Sequence, residues 1–185
     1  SVTGVQTCAL PIFVSELHRL VGRPIGVNLE PVDLEAEMLE DRLDIPKGRQ
    51  LNLDTVKRLE EVGFDFVCLT GNPGTGVTNE QIEKAIRLTK EHFSGLVIAG
   101  KMHGAGSDEP VADLTIAKQF IEAGADVILV PAVGTVPGFD MEELKAVVRE
   151  VHRCGGLVLS AIGTSQESSD EDTIKEIAIM NKICG

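Results

Sequence analysis

The sequence predicts an α/β fold built on a parallel sheet, and three observations lead there. Short runs of Val, Ile and Leu, too uniformly apolar for half-exposed strands, stop abruptly at glycine or proline, most plainly in residues 125–138, ADVILVPAVGTVPG. Each run gives way to a polar, glycine-punctuated loop and then to a segment with apolar positions at helical spacing. The pattern recurs through the chain at intervals of about 30 residues, the length of a βαβ unit.

In chain order, residues 13–21 (FVSELHRLV) form a short amphipathic helix ended by Gly22, Arg23 and Pro24, and residues 25–29 form the first strand. Residues 33–44 are expected to add a helix before a turn at Pro46, Lys47 and Gly48. Asn52 or Asp54 caps the next helix, which runs to Val62 and stops at Gly63, and residues 64–69 are the second strand. After the loop TGNPGTG, Thr78 or Asn79 caps a helix carrying Ile82, Ala85, Ile86 and Leu88. The third strand, 96–99, leads into GKMHGAG. A helix over 111–123, a strand ending at Pro131, a helix over 141–154 and a fifth strand over 157–162 follow. The last helix starts near Asp172 and ends at Cys184.

Two architectures fit five strand-helix units: an open doubly wound sheet, complete with five strands, and a TIM (βα)8 barrel, of which five strands are a part. Similar polar loops after all five strands favour the incomplete barrel. In a barrel every strand end faces one common mouth, whereas an open sheet collects ligand only at its switch point. Consecutive right-handed units then require the strands to lie side by side in sequence order.

The 185 residues, 43% of them hydrophobic, suit one domain. With 29 acidic and 17 basic residues the formal charge is −12, which repels nucleic acid and anionic membrane. Cys8, Cys68, Cys154 and Cys184 are widely spaced, without C-x-x-C or zinc-ligand patterns, and read as reduced thiols. No apolar run reaches the roughly 18 to 20 residues of a membrane span, so a cytoplasmic protein is expected. Residues 2–12, VTGVQTCALPI, have no clear period and resemble the translation of a sequencing-library adapter. The domain is accordingly expected to occupy residues 13–185, with 1–12 foreign to it.

The motifs GRPIGVNLEPVD, LTGNPGTGVTN, IAGKMHGAG, VPAVGTVPG and AIGTSQESSD, in this order, resemble those of a family of bacterial TIM-barrel proteins. Its members are often labelled phosphoenolpyruvate phosphonomutase or haloacid dehalogenase-like hydrolase, and they tend to be encoded near sugar-uptake genes. The resemblance covers residues 21–185 and implies that the five strands correspond to the third to seventh of a complete barrel. It does not extend to the haloacid dehalogenase signature, an aspartate nucleophile in a D-x-D-x that directly follows a strand, which the sequence lacks.

The strand-end loops hold the candidate site residues. Lys101 and His103, two apart just beyond the third strand, are the candidates for imine or anion-holding chemistry and for general acid/base work, set against a solvated lysine and an ordinary loop histidine. Asn28 and Glu30 alternate at the end of the first strand; Glu30 is a candidate base or ligand of a divalent metal, though one carboxylate alone makes no metal site. Gly71 and Asn72 offer close backbone approach and an amide, or simple loop punctuation. Thr135 belongs to a less polar loop read chiefly as a pocket wall. Gly163, Thr164 and Ser165 precede a helix, where backbone N–H groups and two hydroxyls suit a phosphate or carboxylate, or merely a capped turn. No G-x-G-x-x-G or Walker loop supports a nucleotide cofactor. His18, His92 and His152 fall on helices, and Asp108 and Asp126 on caps and strand starts.

The expected function is that of a TIM-barrel lyase, isomerase or hydrolase acting on a small phosphorylated or carboxylated metabolite. A non-catalytic metabolite-binding protein using the same pocket and a truncated, inactive product are the alternatives. A small anionic metabolite is the expected partner, and a homo-oligomer is compatible with the sequence.

Overall fold

The computed structural model describes residues 10–32, 44–71, 75–102, 110–163 and 166–185. Five strands alternate with helices: α1 (Leu10–Val21), β1 (Gly26–Leu29), a 3-10 turn (Lys47–Arg49), α2 (Leu53–Val62), β2 (Phe66–Leu69) and α3 (Asn79–His92) make the first part. Then come β3 (Leu96–Gly100), α4 (Leu114–Ala123), β4 (Val127–Pro131), α5 (Met141–Arg153), β5 (Leu157–Ala161) and α6 (Glu171–Cys184). All neighbouring strands are parallel, and the sheet order is β1-β2-β3-β4-β5. Sequential order is what consecutive barrel units produce; a doubly wound sheet reverses direction at a switch point, and none occurs here. The fold is therefore an open, partial TIM-barrel-like sheet.

Local chemistry explains where the helices begin and end. Asn52, not Asp54, caps α2: its side chain accepts from Thr55 N at 2.9 Å, while the Thr55 hydroxyl accepts from Asn52 N at 2.9 Å. Thr78, Asp113, Asp140 and Asp170 cap α3, α4, α5 and α6 by accepting from backbone N–H groups of the first turn, Asp140 with a reciprocal bond to Glu143. Gly63 and Gly124 end α2 and α4 in the left-handed region, at φ 79° and 114°. Helix α1 starts at Leu10, inside the segment expected to be foreign to the domain; residues 1–9 lie outside the described ones, as does nearly all of the helix expected over 33–44.

At the N-terminal edge of the sheet two aspartates bind strand to strand. Asp65 Oδ2 accepts from Ile25 N at 2.6 Å while its own carbonyl accepts from Leu96 N, and Asp126 Oδ2 accepts from Val97 N at 2.8 Å while its carbonyl accepts from Leu157 N. Each carboxylate thereby satisfies an N–H that precedes or opens the ladder, which fixes register at the ends where pairing begins.

One face of the sheet is covered. Leu29, Val67, Leu69, Val97, Ala99, Ile128 and Val130 point to the helices and pack with Val56, Leu59, Ile82, Ile86, Phe120, Leu144 and Val151 in a continuous core. The alternate positions face the other way, and there Leu96, Leu157 and Leu159 are exposed, Leu157 by 62%. That asymmetry suits a barrel-type sheet whose inner face is only partly enclosed. Among the described residues no helix is long and apolar enough to cross a membrane.

Candidate functional site

Parallel strands deliver their C-terminal ends to one rim, and three of the buried polar side chains lie there. Among the described residues five polar or charged side chains are buried: Glu30, Thr75, Thr89, Lys101 and Asn181. Glu30 follows β1, Thr75 lies in the connection after β2, and Lys101 directly follows β3. Buried ionisable groups need partners, so their concentration at the heads of three adjacent strands requires an organised polar site.

Glu30 is its best-defined member. One carboxylate oxygen accepts from Arg49 Nη2 at 2.5 Å and the other from Thr75 Oγ1 at 2.9 Å. The backbone adds a second layer: Glu30 N donates to Arg49 O, and Glu30 O accepts from Leu51 N and Val32 N. Val32 in turn bridges antiparallel to Val77, so a single buried residue ties together the segments following β1, preceding α2 and following β2. Gly71 completes this packing. A Cβ there would lie 2.6 Å from Val77 Cγ2 and 3.0 Å from Glu30 Oε2, so a side chain at 71 would displace the carboxylate from its partners. With a guanidinium on one oxygen and a hydroxyl on the other, Glu30 is arranged to hold a cationic side chain and a loop. Among the described residues no cluster of three His, Cys, Asp or Glu side chains forms a metal-binding group.

Lys101 is 1% exposed and ranks among the largest fully buried side chains. Its placement depends on Gly100, whose Cβ would fall 1.9 Å from the carbonyl oxygen of Leu129; only glycine lets β3 pass β4 this closely as the chain turns into the lysine. Asn28, by contrast, is exposed on the partly enclosed face of β1. Cys68 pairs with Asn28 in register on that face, and burial pushes its thiol up from 9.0 to about 11, so it is protonated at neutral pH.

In the later loops, Thr135 and Gly163 commit donors to the loops themselves. Thr135 donates its hydroxyl to Ala132 O at 2.6 Å and its N–H to the same oxygen at 3.1 Å, closing a turn after β4. Gly163 donates its N–H to Gln166 Oε1 at 3.0 Å, so that N–H holds the β5 loop together. Of the residues singled out from sequence, Asn72, His103, Thr164 and Ser165 lie outside the described ones. Arg49 and Thr75 were not singled out, although both touch Glu30. The sequence signal for Thr75 was its place in the TGNPGTG loop, while Arg49 meets Glu30 from a turn 19 residues away and had no local signature.

The fold resembles that of two solved structures. One, named "putative lyase/mutase", from Burkholderia cenocepacia J2315, matches with a TM-score of 0.56 and 15% identity over 98% of this chain. The chain spans 63% of that protein's length. The other, named "putative phosphonomutase", from the same organism, matches with a TM-score of 0.54 and 12% identity over 89% of this chain and 67% of its own. At these identities the likeness is one of fold. No curated protein matches the sequence. The family model described as a domain of unknown function, DUF7916, matches residues 1–185, and the chain belongs to that family.

Proposed function

We propose that this chain forms most of the ligand-binding part of a TIM-barrel-type enzyme, a lyase, isomerase or mutase, whose substrate is a small phosphorylated or carboxylated metabolite. The observation that carries the reading is Lys101, an ionisable side chain that is 1% exposed where a barrel strand ends. A buried lysine at such a position has two uses: as an ammonium it holds an anionic group, and as a neutral amine it attacks a carbonyl. In the second case Nζ forms the C–N bond, the carbonyl oxygen leaves as water, and His103, two residues further on, carries the protons. The Glu30, Arg49 and Thr75 network belongs to the same rim, at the heads of β1 and β2. The names of the two structures of like fold, a lyase/mutase and a phosphonomutase, agree with this class of chemistry.

Borohydride reduction of the protein with a panel of 2-keto acids and sugar phosphates tests the choice. A mass adduct on the peptide containing Lys101 supports the imine; saturable binding without an adduct, lost in Lys101→Met, supports anion holding. Wild-type turnover of an identified substrate by Lys101→Ala would remove the lysine from the mechanism. A binding protein without turnover is the second reading, favoured by Glu30, which gives both carboxylate oxygens to Arg49 and Thr75 and is thus built to keep shape rather than to move protons. Saturable binding together with no conversion across the panel would select it.

A further inference from the structure

We propose that Asn181 is a positioning residue that sets, from the far end of α6, the shape of the loop after β4; that this loop faces a ligand rests on the reading above. Asn181 is buried, 9% exposed, on the inward side of α6 with Ile177 and Cys184. Its amide pairs with the backbone of Val133 in both directions: Oδ1 accepts from Val133 N at 2.9 Å, and Nδ2 donates to Val133 O at 3.3 Å. Nδ2 also donates to Ile177 O at 2.7 Å, one helical turn back, which leaves the amide a single orientation. The side chain thus does for Val133 what a neighbouring strand does within the sheet, at the point where the β4 ladder has ended.

The same turn of α6 meets the rest of the loop. A Cβ on Gly134, which sits at φ 91°, would lie 3.0 Å from Met180 Cε, and Cys184 Sγ lies 3.7 Å from Met141 O, just past the loop's far end. Ala132 N donates to Ala161 O, and Thr135 closes its turn on Ala132 O. Val133 therefore stands between two points fixed by β5 and by the loop itself, and Asn181 supplies the remaining tie. Because Val133 is itself buried, water does not readily replace that amide.

The test is residue-resolved amide exchange in Asn181→Leu, which keeps bulk, and Asn181→Asp, which keeps the acceptor for Val133 N but loses the donor for Val133 O. In Asn181→Leu, exchange at Val133 and Thr135 should rise at least tenfold while Val97 and Leu69 stay protected. Asn181→Asp should raise it less at Val133, and it decides the question alone if the leucine variant does not fold. Unchanged exchange at Val133, or an equal rise at Val97, would overturn the proposal by showing no tie or only general loosening. Binding of inorganic phosphate is measured alongside. Tenfold weaker binding in a variant with intact core protection supports the positioning role, and unchanged binding with a loosened loop overturns it. Failure of the wild-type protein to bind phosphate counts against the anion reading of the rim, while exchange at Val133 still decides Asn181.

Discussion

Thr75→Val and Glu30→Gln, separately and together, examine whether the Glu30 network acts as one unit. Thr75→Val keeps the side-chain shape and removes the hydroxyl that donates to Glu30 at 2.9 Å inside the protein. Leaving a buried carboxylate oxygen without that donor costs about 2 kcal/mol, within the range for an unsatisfied buried group. Glu30→Gln keeps the volume but removes the charge, and charge-assisted bonds are about twice as strong as neutral ones, so a loss of about 1–2 kcal/mol follows. The Arg49 contribution is discounted, because its side chain is 58% exposed and water takes over much of its role. Once the charge is gone the hydroxyl matters less, so the double variant should lose about 1 kcal/mol less than the sum. Urea unfolding with unchanged m-values reads this out directly, and Tm should fall by roughly 4–8 °C in Thr75→Val and roughly 2–8 °C in Glu30→Gln for a chain of this size. Losses that add within about 0.3 kcal/mol would refute the network, since independent sites behave that way.

Two further perturbations address the surroundings of the rim. Gly100→Ala places a Cβ 1.9 Å from Leu129 O, which forces β3 and β4 apart, and should cost about 2 kcal/mol or more in urea unfolding; a neutral change would mean that the close strand approach is absent. Cys68, raised to about 11 by burial, favours the protonated thiol in the folded state, so its contribution to stability is complete below the unfolded value near 9 and is lost as pH rises through about 11. Stability should therefore fall between about pH 9 and 11 and fall less in Cys68→Ser, while a thiol reagent at pH 8 labels exposed Cys154 well before Cys68; equal labelling rates would contradict the burial.

The strands were legible because they are apolar on both faces, although Leu96, Leu157 and Leu159 prove exposed on the partly enclosed one, and because glycine marks the helix ends at Gly63 and Gly124, both in the left-handed region. Boundaries were less so. The second strand was expected from Phe64, yet β2 begins at Phe66, and Asp65 before it uses its carboxylate to bind Ile25 across the sheet's edge. Asp172 looked like the start of α6, but Asp170 is the residue whose side chain accepts from Thr173 N. At the rim, Glu30 and Lys101 stood out as ionisable residues at strand ends, and both are buried there. Their surroundings could not be read, because the contacts of Glu30 reach across 19 and 45 residues and no local period records them. Polarity also misleads in the other direction. Thr135 and Gly163 drew attention as ligand groups, and both direct their donors into their own loops, whereas Asn181, which was not singled out, is buried against Val133.

The central claim, that ligand chemistry belongs to the rim formed by the strands' C-terminal ends, is tested most directly by titrating the 15N-labelled protein with phosphoenolpyruvate, a carboxylate and a phosphate in one small molecule. Saturable amide shifts are expected at Glu30, Gly71, Lys101, Val133 and Gly163, and Lys101→Met should abolish them while leaving the rest of the spectrum in place. Shifts confined to the opposite edge, around Asp65, Gly124, Asp126 and Gly155, would contradict the claim.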